Sequence, residues 1–217
     1  MSPTAAAVTK TRTERLFAAL ELPQHVVSDL AEVVADLNIA RRGSTTRPAT
    51  AARRTSSPAR VVRSANWHLT LAFLGEVPVG RVGQAAEALG EAALSCAPLQ
   101  LSVSGGGRFG RGRYSVVYAG LDGDVARLVQ LVHRIRAGLT AVDLPVDQKQ
   151  YRPHVTLARP GDRVTNQQAA EDLLTLRRYH GPSWTAGEIV LYRSDLAGRT
   201  GQAPVHTPVS TLPLRDS

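Results

Sequence analysis

Alternating apolar and polar positions mark two stretches in opposite halves of the chain, Trp67-His68-Leu69-Thr70-Leu71 and Pro153-His154-Val155-Thr156-Leu157. In an extended strand residues i and i+2 share a face. His68 and Thr70 therefore project together, and so do His154 and Thr156. Elsewhere the pattern predicts a buried strand over residues 15–22, closed by Pro23. From 23 to 40, apolar residues fall at Val26, Val27, Leu30, Val33, Val34 and Leu37, the spacing of an amphipathic helix with Pro23 in its first turn. Residues 81–96 are Ala/Leu-rich and predict a helix. Residues 99–104 alternate as a strand, which Gly105-Gly106-Gly107 is expected to break before 114–119 returns. A helix over 124–141, a polar loop over 143–152 and the second motif strand over 153–158 follow. Next come a helix over 165–178 with Thr165 as its N-cap, a strand over 184–192 and a last strand over 205–214. The order predicts an α+β chain of two similar lobes, with mixed, mostly antiparallel strands.

Composition narrows this reading. The chain has 217 residues, 43% of them hydrophobic and 20% charged, enough apolar material for a core and too little charge for global disorder. Residues 1–11 are Ala/Thr-rich and predict a disordered tail; 12–217 read as one bilobal domain. The formal net charge of +8 favours polyanionic partners, nucleic acid first. Residues 41–60, however, hold six arginines and no acid, and read as an exposed basic insertion loop. Much of the excess charge therefore lies there and says little about a site. The one cysteine, Cys96, excludes an internal disulfide and reads as buried rather than nucleophilic. Nothing approaches the roughly 18–20 apolar residues of a membrane span, and no secretory signal is seen. A cytoplasmic monomer with no membrane partner is expected.

The two histidine–threonine pairs carry the chemistry. Histidine, with an unperturbed pKa near 6.5, both accepts and gives a proton near neutrality. Two imidazoles on opposite sides of one phosphorus suit an in-line displacement: one takes a proton from water, the other gives one to the departing oxygen. A threonine two residues on sets a hydroxyl donor beside each ring for a non-bridging oxygen. Arg159 follows the second motif and offers a guanidinium fork for phosphate. Phe109, between Arg108 and Arg111, offers a ring on which a terminal base could stack. No zinc-spaced cluster accompanies the histidines, and neither Gly-x-Ser-x-Gly, a Walker loop nor Gly-x-Gly-x-x-G occurs. No metal or cofactor is expected. His25, His133, His180 and His206 lack a threonine partner and carry no assigned role.

At these residues the chain resembles the 2H phosphoesterase superfamily, and more narrowly the bacterial and archaeal RNA 2′,3′-cyclic phosphodiesterases, historically called 2′-5′ RNA ligases. The likeness runs from about residue 14 to 214. It rests on Arg15-Leu16-Phe17-Ala18-Ala19-Leu20, on Asn66 to Val77, on Tyr151 to Arg159, and on Leu191-Tyr192-Arg193-Ser194. The resemblance implies a bilobal, pseudo-symmetric fold with two antiparallel sheets facing a central groove and helices outside. It implies metal-independent opening of a terminal 2′,3′-cyclic phosphate, on RNA or a cyclic nucleotide, to a 2′-phosphate. His68 would be the general acid, His154 the general base, and Thr70, Thr156 and Arg159 would hold phosphate. The chain departs from the family's shorter link at 41–60. Two other readings stay open: 2′-5′ ligation on the same site, and a non-catalytic module that binds RNA ends.

Overall fold

The structure, a computed structural model, describes residues 12–43, 60–110, 115–159, 164–195 and 204–215. The expected tail and nearly all of the basic insertion lie outside the described residues. The elements are β1 (Thr13–Glu21), α1 (Gln24–Asp36), α2 (Asn38–Gly43), β2 (Arg60–Val61), β3 (His68–Pro78), α3 (Val82–Leu94), β4 (Leu99–Phe109), β5 (Val116–Gly123), α4 (Val125–Ala141), β6 (Val155–Arg159), α5 (Asn166–Arg178), β7 (His180–Ala186), β8 (Glu188–Asp195) and β9 (Val205–Pro213).

The strands form one antiparallel sheet in the order β7-β4-β5-β6-β3-β1-β8-β9, with β2 paired to β6. Its middle is narrow. β3 and β6 meet at a single register pair, Leu69 with Val155. The two sheets implied by the resemblance are thus two antiparallel halves joined at one rung, and each half brings one motif strand to the seam. One face of the sheet is covered by helices. Leu16, Leu20, Leu69, Leu71, Leu101, Val103, Ala119, Val155 and Leu157 are buried there with Leu30, Leu89, Leu128, Val132, Ile135 and Leu176 of the helices. A smaller apolar cluster, Phe17, Ala19, Val190 and Tyr192, lies apart from that core, on the open face.

Both motif strands carry a bulge at the same motif position. Thr70 pairs with Ala19 and Ala72 with Ala18, so Leu71 has no partner on β1. Thr156 pairs with Tyr118 and Ala158 with Val117, so Leu157 has none on β5. Each unpaired leucine is buried. A bulge inverts the alternation that follows it and bends the strand. Ala72 and Ala158 are buried in consequence, while Phe73, at 53% exposure, and Arg159 return to the open face three residues after each threonine.

Several expected boundaries are corrected. Gly105-Gly106-Gly107 does not break its strand: β4 runs on to Phe109. Gly105, at φ +67°, sits where the register shifts between Val103 and Gly106. A Cβ on Gly107 would come 2.5 Å from the Tyr118 hydroxyl, so the glycine lets that ring lie flat against the strand. The strand expected over 184–192 is two strands, β7 and β8, which join opposite halves and part at Gly187. Thr165 does cap α5, and with Gln168 it forms a capping box.

The helix expected over 23–40 stops at Asp36 and restarts as α2. The buried carboxylate of Asp172, from α5, accepts the backbone N–H groups of Asn38 at 2.7 Å and Ile39 at 3.1 Å, and the Asn38 side-chain amide at 3.0 Å. Asp172→Ala leaves the two backbone donors without that acceptor in a largely buried place, while the Asn38 amide keeps Glu171. We expect it to lower stability by about 2–3 kcal/mol, read by urea unfolding; a loss within error would show that water replaces the carboxylate.

Candidate active site

The seam places the four motif side chains. Leu69 and Val155 are both fully buried on the helix-covered face. Their neighbours on either side must therefore point to the open face. Antiparallel register then sets His68 across from Thr156 and Thr70 across from His154. The two histidines are then diagonal neighbours across that rung. Thr70 and His154 indeed line one cavity together. All four side chains are half-buried, and neither threonine hydroxyl has a hydrogen-bond partner among the described residues.

Each imidazole is oriented by the backbone two residues before it. Nδ1–H of His68 donates to the Asn66 carbonyl at 2.9 Å, and Nδ1–H of His154 to the Arg152 carbonyl at 2.7 Å. A carbonyl only accepts, so Nδ1 must carry the proton in both rings. That leaves Nε2 of each ring with its lone pair free in the neutral form. The Asn66 carbonyl is held by a 3-10 turn over Ser64–Asn66, and Trp67 locks this entry by donating from Nε1 to the Val62 carbonyl at 3.1 Å.

The two histidines have different surroundings. His154 meets Phe109 edge-on at 4.9 Å and Tyr118 at 5.7 Å, and those two rings stack at 4.1 Å. The Arg152 guanidinium stands 5.8 Å from the Phe109 ring. His68 packs on Phe17 at 4.9 Å and meets His206 edge-on at 5.6 Å. Burial pushes His68 down to about 4; His206 adds to this, the Asn66 hydrogen bond opposes it, and His154 contributes less. In the free protein His68 is therefore neutral at pH 7.

A cavity lies on each side of the pair. One, of about 320 Å³, is mainly apolar and is lined by Thr70, Phe73, Phe109, Tyr151, Arg152 and His154 among others. The Tyr151 hydroxyl donates to the Thr70 carbonyl at 3.2 Å and so ties this wall to the first motif. The other, of about 380 Å³, is lined by Glu21, Asn66, His68, Tyr192 and His206 among others.

Of the residues singled out from sequence, the two histidines, the two threonines and Phe109 come together here. Arg159 is on the same face by register and exposed, beyond the two cavities. Phe73, Tyr118, Arg152 and His206 were not anticipated. Phe73 had a legible signal: it stands at the position in the first motif that Arg159 occupies in the second. Among the described residues, no three His, Cys, Asp or Glu side chains are placed to hold a metal ion, and no helix is long and apolar enough to cross a membrane.

An antiparallel α+β scaffold that sets two His-x-Thr pairs face to face across a seam defines a class, and comparison with known proteins gives its name. The family model described as the 2′-5′ RNA ligase superfamily matches residues 42–198. The chain belongs to that superfamily. A curated relative from Geobacillus stearothermophilus, named RNA 2′,3′-cyclic phosphodiesterase, is 29% identical over 156 residues, 70% of this chain and 47% of the relative. Another of the same name, from Aeropyrum pernix, is 31% identical over 106 residues, 48% of this chain and 59% of the relative. The chain thus spans about half the length of these relatives. Among solved structures, the protein TT0787 of Thermus thermophilus is similar over 93% of this chain and 98% of its own, with a TM-score of 0.68 at 25% identity.

Proposed function

We propose that the protein hydrolyses a terminal 2′,3′-cyclic phosphate on RNA, or on a cyclic nucleotide, to a 2′-phosphate, using His68 and His154 and no metal. The observation that carries this reading is the single rung between Leu69 and Val155, which turns both histidines and both threonines to one face. The name borne by the two curated relatives supports the substrate class.

The chain's own groups supply each step. The cyclic phosphate lies over the seam, and the Thr70 and Thr156 hydroxyls donate to its non-bridging oxygens. Arg159 adds positive charge from the open face. Neutral His154 accepts a proton at Nε2 from a water that attacks phosphorus. The new P–O bond forms as the P–O3′ bond breaks, in line, and His68 gives its Nε2 proton to O3′. The phosphate stays on O2′. Phe109, stacked on Tyr118 beside His154, forms part of the wall against which the terminal base would lie. An acid must hold a proton, and free His68 does not hold one at pH 7. The phosphodiester anion reverses this by placing negative charge beside Nε2, so His68 takes up its proton with substrate.

A test uses a cyclic-phosphate-ended oligonucleotide incubated with the protein in EDTA. The expected product carries a 2′-phosphate. A 3′-phosphate product, turnover that requires added metal, or no turnover would each overturn the proposal. A second reading has one observation in its favour: cavities on both sides of the histidines leave room for a nucleoside on each side of the phosphorus. By microscopic reversibility the same groups could then join a 5′-hydroxyl end through a 2′-5′ bond. Including such an acceptor in the assay separates the two.

A further inference from the structure

His206 lies on β9, three strands from His68 along the order β3-β1-β8-β9. In a flat sheet that separation is roughly 14 Å, at about 4.8 Å per strand. The rings are nevertheless 5.6 Å apart. The sheet curls here, and register shifts in the β1–β3 and β8–β9 ladders bend it. Phe17 sits at the centre of the curl, with His68 at 4.9 Å, His206 at 4.9 Å and Tyr192 at 5.2 Å. His206 is thus delivered to the wall of the His68 cavity by the fold rather than by either motif.

Its Nδ1 is enclosed and has no hydrogen-bond partner among the described residues. The edge-on geometry gives no hydrogen bond to His68, so proton relay between the rings is not what this contact supplies. What it supplies is a second titrating charge at close range. We propose that His206 is a positioning residue of this site, whose ring seats His68 and opposes the gain of a proton there.

The other groups facing His68 do not replace it. On β1, Glu21 is directly across from His68 in register, but its carboxylate accepts the Tyr192 hydroxyl from β8. On β6, His154 acts on His68 more weakly than His206 does. Asn66 contributes only its carbonyl. Burial also disfavours charge on His206, but His68 is the more strongly depressed of the two. As pH falls, His206 gains its proton first and then opposes protonation of His68, a coupled titration in which each ring feels the other.

The catalytic meaning of this contact rests on the phosphodiesterase reading; the contact itself is tested without it. Imidazole resonances of the ligand-free protein, labelled with ¹⁵N on histidine, are followed by NMR from pH 8 to pH 3.5. In the wild type, His206 should titrate before His68. In His206→Phe, which keeps a ring on Phe17, and in His206→Asn, the His68 midpoint should rise by roughly one unit. An unmoved midpoint in either folded variant overturns the proposal. So does a wild-type His68 that titrates near 6.5 beside a charged His206, which keeps the test decisive even if neither variant folds.

If the protein is also active, one limb of the pH profile of kcat/KM should move upward with the His68 midpoint in His206→Phe. With its free-protein midpoint near 4, His68 governs the acidic limb whichever role it plays, so the acidic limb is the one that should move. A profile with neither limb moved overturns the proposal. Absence of turnover in the wild type would instead sink the phosphodiesterase reading and leave the NMR result standing.

Discussion

Replacing His154 by alanine is expected to lower kcat on a 2′,3′-cyclic phosphate end by about 10²–10⁴-fold, and His68→Ala should cost a similar factor. In the proposed reaction each imidazole moves one proton of a single displacement, and the Nδ1 anchors to the Asn66 and Arg152 carbonyls hold each Nε2 free for it. KM should change less than kcat, because threonine hydroxyls on both strands still meet the phosphate. The double variant should be little worse than the poorer single one, since the two groups act as a unit. Steady-state rates with a defined cyclic nucleotide decide the matter. Near wild-type rates in both single variants would remove the two-histidine mechanism.

Lowering the pH from 7 to 4 should cost about 3 kcal/mol of folding stability through His68 alone. Its folded-state value is about 4, against roughly 6.5 in an unfolded chain. Above about 6.5 both states are neutral and the native state keeps its full stability. Between 6.5 and 4 the unfolded state binds a proton that the folded state refuses, so stability falls as pH falls; below 4 both states bind it and this loss levels off. Urea unfolding of the wild type and of His68→Phe, which keeps a ring against Phe17, should diverge in slope across that window. Parallel curves would show that His68 is not desolvated as its place under Phe17 and His206 implies.

What could be seen in the sequence is what depends on local pattern. The alternation around His68 and His154 marks two strands, and the repeated His-x-Thr ties them to one site. The helical spacing of Val125, Leu128, Val132, Ile135 and Leu139 finds α4, and Thr165 finds the start of α5. What was missed depends on partners far away in the chain. The bulges at Leu71 and Leu157 exist only relative to β1 and β5, so a simple two-residue period puts Phe73 and Arg159 on the wrong face. Three glycines in a row look like a break until Tyr118 is laid against them. Asp172 appears as one more polar residue of a helix, and nothing nearby says that it ends α1 and starts α2. His206 has no motif at all: its place beside His68 is a product of sheet curvature.

The lone rung between Leu69 and Val155 has one more implication. Since His68 faces Thr156 and His154 faces Thr70, no motif works as its own tool. Every imidazole is matched with a hydroxyl owned by the opposite half. A slip of one residue at that junction would leave both signatures intact in the text of the chain and still break the site apart. The spelling of the two motifs is thus only half the requirement; the other half is their alignment, and that is kept by two aliphatic side chains buried on the opposite face.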